Sequence, residues 1–212
     1  MLTRRRLIAG LPFAAALPAA AAASAIPVVT MLGDSITAGF GLRRADALPV
    51  QLELALKAMK VQAKVRGAGI SGDTTAGGLG RLDFSVQPDT AVCVVELGAN
   101  DFLQGEDPAV TRRRLDTIVK RLKARRITVV LAGGRVPVRA YGAYGRQFEA
   151  VFPEVAKANG VLLAPDLLAD VSDRPDLKQP DGIHPNAEGV KLVARRLAPV
   201  VAQALRQARH AA

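Results

Sequence analysis

The chain has no tryptophan, one cysteine, two histidines and two tyrosines among its 212 residues. A single cysteine, Cys93, excludes an internal disulfide and any cysteine-based metal cluster. It sits in the apolar run AVCVVEL and reads as a small buried hydrophobe. Aromatic residues make up only 4% of the chain, too few for a base-stacking surface, and no nucleic-acid motif accompanies the excess of 29 Lys and Arg over 19 Asp and Glu. Nucleic acid is therefore not an expected partner. The basic residues concentrate on one predicted helix, at Arg112 to Arg114, Lys120, Arg121, Lys123, Arg125 and Arg126. Such a face could favour transient contact with anionic lipid headgroups, although a solvated helix face is the simpler expectation. The shortage of histidine narrows the search for chemistry. His210 stands two residues from the end, so His184, in the segment DGIHPN, is the imidazole placed to act inside a domain.

What is present begins with an appendage. The segment MLTRRRLIAGLPFAAALPAAAAASA runs from three arginines, through an apolar stretch broken by Gly10, Pro12 and Pro18, to small residues at Ala23, Ser24 and Ala25. That is the layout of an export signal with a cut after Ala25, and its apolar part is short and Pro-broken for a membrane span. Thr3 to Ile8 also resembles the twin-arginine pattern. The expectation is a signal over residues 1–25 and one domain over 26–212, exported to the periplasm or secreted, with no stable membrane insertion after cleavage. Removal of three arginines and no acid would bring the formal charge from +10 to +7.

Beyond the signal, apolar, largely β-branched runs at 26–32, 61–67, 91–97, 127–133 and 160–165 alternate with helical patterns at about 49–60, 108–125, 143–158 and 187–207. Strands fed by crossover helices give an α/β fold with a five-stranded parallel sheet. The runs are apolar throughout, as expected where helices cover both faces. In such a sheet the ligand site lies beyond the carboxyl ends of the strands. There the sequence puts GDSITAG, GAGISGDT, GAND and GGRVPVRAYGAYG, and after the fifth strand comes DGIHPN.

A serine hydroxyl becomes a useful nucleophile when an imidazole takes its proton and a carboxylate fixes the imidazole tautomer. Ser35, His184 and Asp181 are the residues of those types at the rim. The backbone N–H groups of Ser35 and Gly72 and the side-chain amide of Asn100 are candidate donors to an oxyanion. Each has an ordinary alternative: Ser35 as a helix N-cap, Gly72 as a positive-φ turn, Asn100 and Asp101 as caps of the next helix, Asp181 and Gly182 as a plain turn. Asp34 and Asp73 read as structural residues bonding their own turns.

GDSITAGFG, GISGDTTAGGLGRL, VELGAND and DGIHPN together resemble the four motif blocks of the SGNH, or GDSL, hydrolases, and SGDT, ELGAND and DGIHPN look most like the branch of arylesterases and periplasmic acyl-CoA thioesterase/lysophospholipases. The resemblance implies a three-layer flavodoxin-like fold, no cofactor or metal, and hydrolysis of esters and thioesters through an acyl-serine. It implies Ser35 as nucleophile, His184 as base, Asp181 as its acid partner, and Ser35, Gly72 and Asn100 as oxyanion hole. It also implies that the loop after strand four, with Val136, Pro137 and Tyr141, contacts substrate. There the chain departs from its relatives, which usually read R-x-P-x-N-Y-G. RVPVRAYG carries Val138, Arg139 and Ala140 ahead of Tyr141, so the family's acyl-length preference does not carry over. A carbohydrate O-deacetylase on the same scaffold and a non-catalytic lipid- or ligand-binding protein are the alternatives. The scarcity of aromatics speaks against the first, and the presence of every catalytic residue type against the second.

Overall fold

A computed structural model describes residues 26–134 and 138–211. The expected signal over 1–25, and Val136 and Pro137, lie outside the described residues, as does the side chain of Arg139. Five strands, β1 (Val28–Gly33), β2 (Lys64–Gly69), β3 (Thr90–Glu96), β4 (Thr128–Ala132) and β5 (Leu162–Ala164), form one sheet in the order β2-β1-β3-β4-β5. Every neighbouring pair is parallel. The chain steps outward from β1 to β2 and then returns past β1 to β3, so strand order reverses between β1 and β3, the place where open α/β sheets leave a crevice.

The intervening helices are α1 (Ser35–Ala38), α2 (Leu48–Ala58), α3 (Thr75–Gly80), α4 (Leu82–Ser85), α5 (Ala99–Leu103), α6 (Pro108–Ala124), α7 (Val138–Asn159) and α8 (Ala187–Ala211). Alternation along the central strands divides the core in two. Val29 and Met31 of β1 and Val92 and Val94 of β3 pack on Leu52 and Leu56 of α2 and Val193, Leu197 and Val201 of α8. Leu32, Cys93 and Val95 point the other way, to Leu115, Ile118 and Leu122 of α6 and Phe148 and Phe152 of α7. Each of these large side chains is almost completely buried and contributes about 1.5–3 kcal/mol of transfer free energy. The Cys93 thiol is fully enclosed in β3, and that burial pushes its pKa up to about 12.

Two strands start later than the apolar runs suggest, and the cause is the way the preceding helices end. Val61 N–H donates to the Leu56 carbonyl (2.9 Å) and Val161 N–H to that of Ala156 (3.0 Å), so the first residues of both runs close a helix before the strand begins. Ile127 does the same toward Leu122 (3.1 Å). In each case the residue just before is left-handed: Lys60 at φ 60°, Arg126 at φ 59° and Gly160 at φ 60°. This is the Schellman exit, used at three of the crossovers.

The helical stretch Val138–Asn159 is interrupted at Gly142, whose φ of 55° and ψ of −125° lie outside the helical region. The regular helix therefore starts where the apolar spacing placed it, near 143. On α6 the arginine cluster is largely matched by acids: Arg112 with Glu154, Arg114 with Glu106, Lys120 with Asp116, and Arg121 and Arg125 with Asp83. The solvated face expected for this helix is thus a mixed-charge surface.

Candidate active site

The turn after β1 is built by Asp34. Its Oδ1 accepts from Ile36 N–H (3.0 Å) and caps α1, so the cap is the aspartate and the hydroxyl of Ser35 is left for other work. That hydroxyl lies 2.9 Å from His184 Nε2. His184 Nδ1 lies 2.6 Å from Asp181 Oδ2. The other carboxylate oxygen, Oδ1, accepts from the backbone N–H groups of Ile183 (2.9 Å) and His184 (3.0 Å). One aspartate therefore shapes the loop and partners the imidazole together. Its bond to His184, followed by the two backbone donors, holds the Asp181 carboxyl down at about 2.

The loop is pinned from both sides. Asn186 Oδ1 accepts from Glu188 and Gly189 N–H at the start of α8, while its amide donates to the Asp176 and Lys178 carbonyls. Gln179 spans to the nucleophile turn: its side-chain amide donates to the Phe40 carbonyl (2.7 Å) and the Pro185 carbonyl (3.0 Å), and its backbone N–H to the His184 carbonyl (2.8 Å). The Phe40 ring lies 4.7 Å from the imidazole, tilted by 36°.

Gly72 has φ 80°, the left-handed turn geometry weighed in the sequence, and a Cβ built there would meet open space. Asn100 lies inside α5 and does not cap it. Its amide donates to the Asp73 carbonyl (2.9 Å) and to Asp34 Oδ2 (3.2 Å). Asp101 is buried and accepts from Thr75 N–H (2.8 Å) and from the Thr75 hydroxyl, tying α3 to α5. Asp73 bonds Thr74 N–H (3.0 Å) and the Arg81 guanidinium (2.7 Å), the structural use foreseen for it.

An apolar cavity of about 290 Å³ opens between Ile36, the residue that follows Ser35, and Leu97, Phe102, Tyr141, Phe148 and Leu167. Tyr141 is half exposed at its mouth and meets the Phe102 ring edge-on at 4.7 Å. A more open depression between α6 and α7, lined by Arg112 and Arg146, contains none of Ser35, Gly72, Asn100, Asp181 and His184.

Sequence reasoning missed three participants: Glu96, Phe40 and Gln179. Glu96 had a signal, since it is the one charge in AVCVVEL and ends a buried strand. It is almost fully buried, lines the cavity, and its Oε2 accepts from the Thr37 hydroxyl (2.7 Å) and Asp34 N–H (3.3 Å). Gln179 and Phe40 lie 139 residues apart, and no local pattern links them.

A three-layer α/β sheet with a serine, an imidazole and a carboxylate in hydrogen-bonded series at its carboxyl rim is the layout of a serine-dependent hydrolase. The chain belongs to the GDSL-like Lipase/Acylhydrolase family, whose sequence profile matches residues 31–192. It is an SGNH-type carboxylic ester hydrolase with the flavodoxin-like fold of that group. It is 35% identical over 184 residues to the Escherichia coli K12 protein named Thioesterase 1/protease 1/lysophospholipase L1, covering 84% of this chain and 87% of that one. The crystal structure of TesA superposes with a TM-score of 0.79 at 31% identity, covering 84% of this chain and 99% of TesA. The SGNH-hydrolase family esterase AlinE4 superposes with a TM-score of 0.71 at 40% identity, covering 85% and 97%.

Proposed function

We propose that the enzyme cleaves carboxylic esters and thioesters of aliphatic acids through an acyl-serine intermediate. The observation that carries this reading is the unbroken series Ser35 Oγ, His184 Nε2, His184 Nδ1 and Asp181 Oδ2, at 2.9 and 2.6 Å, beside an apolar cavity. His184 Nε2 takes the proton of Ser35 Oγ as that oxygen bonds to the substrate carbonyl carbon. Asp181 keeps the other ring proton on Nδ1 and stabilises the imidazolium. The carbonyl oxygen, now anionic, accepts from the N–H groups of Ser35 and Gly72 and from the Asn100 amide hydrogen that leaves the Asp73 carbonyl, while the other amide hydrogen stays on Asp34. The imidazolium returns its proton to the leaving alkoxide or thiolate, which departs as alcohol or thiol. Water, deprotonated by His184, then attacks the acyl-serine and releases the acid, and the proton returns to Ser35.

The cavity lining of Ile36, Leu97, Phe102 and Phe148 favours an aliphatic acyl chain over an acetyl group on a sugar. Aryl esters, short to medium acyl esters, acyl-CoA and lysophospholipid are the substrates this reading supports, the last two by analogy with the E. coli relative's name. The chain is exported and residues 1–25 are removed. Among the described residues no helix is long and apolar enough to cross a membrane.

A substrate panel tests the reading: p-nitrophenyl acetate against longer acyl esters, an acyl-CoA, a lysophospholipid and an acetylated glycan. The expected result is a kcat/KM that rises from acetyl to medium acyl chains, with mass addition to Ser35 by an organophosphonate. Highest activity on the glycan would replace this reading with the deacetylase, and no labelling of Ser35 would remove it. The mature N-terminus, expected at Ile26, is read by mass spectrometry.

A further inference from the structure

Of the three buried acids that the mechanism leaves unused, Asp34, Glu96 and Asp101, only Glu96 lines the acyl cavity. Glu96 ends β3 behind the nucleophile turn, almost without solvent contact, and among the described residues it has no ion-pair partner. Its Oε2 accepts two hydrogen bonds from neutral donors, the Thr37 hydroxyl and Asp34 N–H, the second of which brings it beside Asp34, whose carboxyl interacts electrostatically with its own. The backbone leaves it little room. A Cβ at Gly33 would come within 2.5 Å of Glu96 Oε2 and 2.2 Å of Thr37 Oγ1, so only glycine lets this acid dock behind the turn.

Asp34 is the hub. Its Oδ1 caps α1 through Ile36 N–H, and its Oδ2 receives the Asn100 amide. Asp73 and His184 face it electrostatically. The nearby guanidinium of Arg81 is committed to Asp73, to the Ser85 hydroxyl and to the Gly33 and Ala68 carbonyls. Two touching carboxyls with no cation on them cannot both be charged in such a place. Burial raises the Asp34 pKa, but the Ile36 N–H donor and the neighbouring Glu96 pull it back and so favour the anion there. Glu96, also buried, forms a wall of the acyl cavity, which a charge would spoil.

We infer that Glu96 is a positioning residue. As a neutral acid it donates its proton to the Asp34 carboxylate and keeps that carboxylate aimed at the Asn100 amide, so that Asn100 is oriented for the oxyanion. Burial above all, and then the charge of Asp34, raises the Glu96 pKa well above the ordinary glutamate value, in keeping with this assignment. The inference rests on the reading of Ser35 as nucleophile and Asn100 as oxyanion donor.

Three variants test it, each assayed for kcat and KM on a p-nitrophenyl ester, for Ki of an alkyl trifluoromethyl ketone, and for melting temperature. The ketone adds reversibly to a reactive serine and creates the oxyanion, so its Ki reports the aim of the donors, whereas KM does not. Glu96→Leu is expected to lower kcat about 10- to 100-fold, since a donor is misdirected and not deleted, and to raise Ki by the same factor, with KM within about threefold. Glu96→Gln, whose amide donates to Asp34 while its carbonyl accepts from Thr37 and Asp34, is expected to recover most of that loss. Asp34→Asn, which can turn a donor toward the Asn100 amide, is expected to behave like Glu96→Leu.

A folded Glu96→Leu enzyme with unaltered kcat and Ki overturns the inference. So does a folded Glu96→Gln enzyme as impaired as the leucine variant, because the acid would then be acting as an anion. If the leucine variant does not fold, Asp34→Asn decides: an unchanged Ki there rejects the inference and a raised Ki sustains it. Ser35→Ala separates the two layers. If it keeps activity, the reading of the nucleophile itself is wrong; if it is inactive while Ki is unmoved in the other variants, only the role of Glu96 is lost.

Discussion

Replacing Gln179 with alanine removes two hydrogen bonds, one that ties the histidine loop to the nucleophile turn at the Phe40 carbonyl (2.7 Å) and one that braces the loop at the Pro185 carbonyl (3.0 Å). Each is worth about 0.5–1.5 kcal/mol net, and because the side chain is only half-buried water can rehydrate the freed carbonyls, so about 1–2 kcal/mol of docking is lost in total. The backbone bond from Gln179 N–H to the His184 carbonyl survives and keeps the loop locally shaped. If that docking energy holds His184 Nε2 within 2.9 Å of Ser35 Oγ, its loss appears in the chemical step, and at about 1.4 kcal/mol per decade kcat/KM falls about 5- to 30-fold. The fall should lie in kcat, with KM within about twofold, because no wall of the acyl cavity changes. Gln179→Glu places a carboxylate oxygen against two carbonyls and is expected to be worse than alanine. Gly41→Ala should share the phenotype, since φ is 70° there and a Cβ would lie 2.1 Å from Gln179 Oε1. Steady-state kinetics on a p-nitrophenyl ester, with melting curves alongside, is the assay. An alanine variant within twofold of the parent, or a glutamate variant better than alanine, refutes the coupling.

Asp181→Asn can still accept from the Ile183 and His184 N–H groups and so leaves the loop intact, yet it presents the wrong partner to Nδ1; kcat should fall about 10³- to 10⁴-fold with little change in melting temperature. Because the folded Asp181 pKa is depressed to about 2, its contribution to stability is complete above the unfolded value near 4 and disappears as pH falls toward 2, and the asparagine variant should lose that acid limb in melting curves. Glu96 has the opposite sign. Its raised pKa means a contribution present below about pH 4 and lost as pH rises toward the folded value, so the melting temperature of Glu96→Gln relative to the parent should climb with pH from 4 upward. Lys60 and Arg126 are exposed residues in left-handed geometry, and glycine at either should relieve about 1 kcal/mol, or about 2–4 °C in a chain of this size; a lower melting temperature would reject the assignment of strain.

Much of the architecture was legible in the sequence because a parallel sheet covered on both faces writes itself as unbroken apolar runs, and AVCVVEL and ITVVLAG became β3 and β4 nearly in place. The runs at 61 and 160 overreached by two or three residues, since Val61 and Val161 serve the preceding helix before the strand starts. A hydropathy pattern contains no record of which residue a backbone N–H will reach. The four short helices α1, α3, α4 and α5 fall outside the helical patterns of the sequence, being too short to show a 3.6-residue period. At the rim, Ser35, His184 and Asp181 could be named because their residue types have few other reasons to coincide. Asp34 was foreseen as a turn residue, and it is one, but its second oxygen and the acid behind it belong to a network formed by segments 62 and 66 residues apart. The bridge from Gln179 to Phe40 is of the same kind. Such contacts exist only once the sheet has brought its strand ends together.

The solitary thiol in the middle of β3 gives the molecule a built-in clock for opening. Sealed between two helical layers and held protonated, Cys93 cannot react with an alkylating reagent while the central strand is in place. Every modification event therefore counts one excursion in which the layers part, on a chain with no second sulfhydryl to confuse the tally and no crosslink to hold the pieces together. Loop variants that only loosen the histidine segment should leave that count unchanged, while lesions that reach the interior should quicken it.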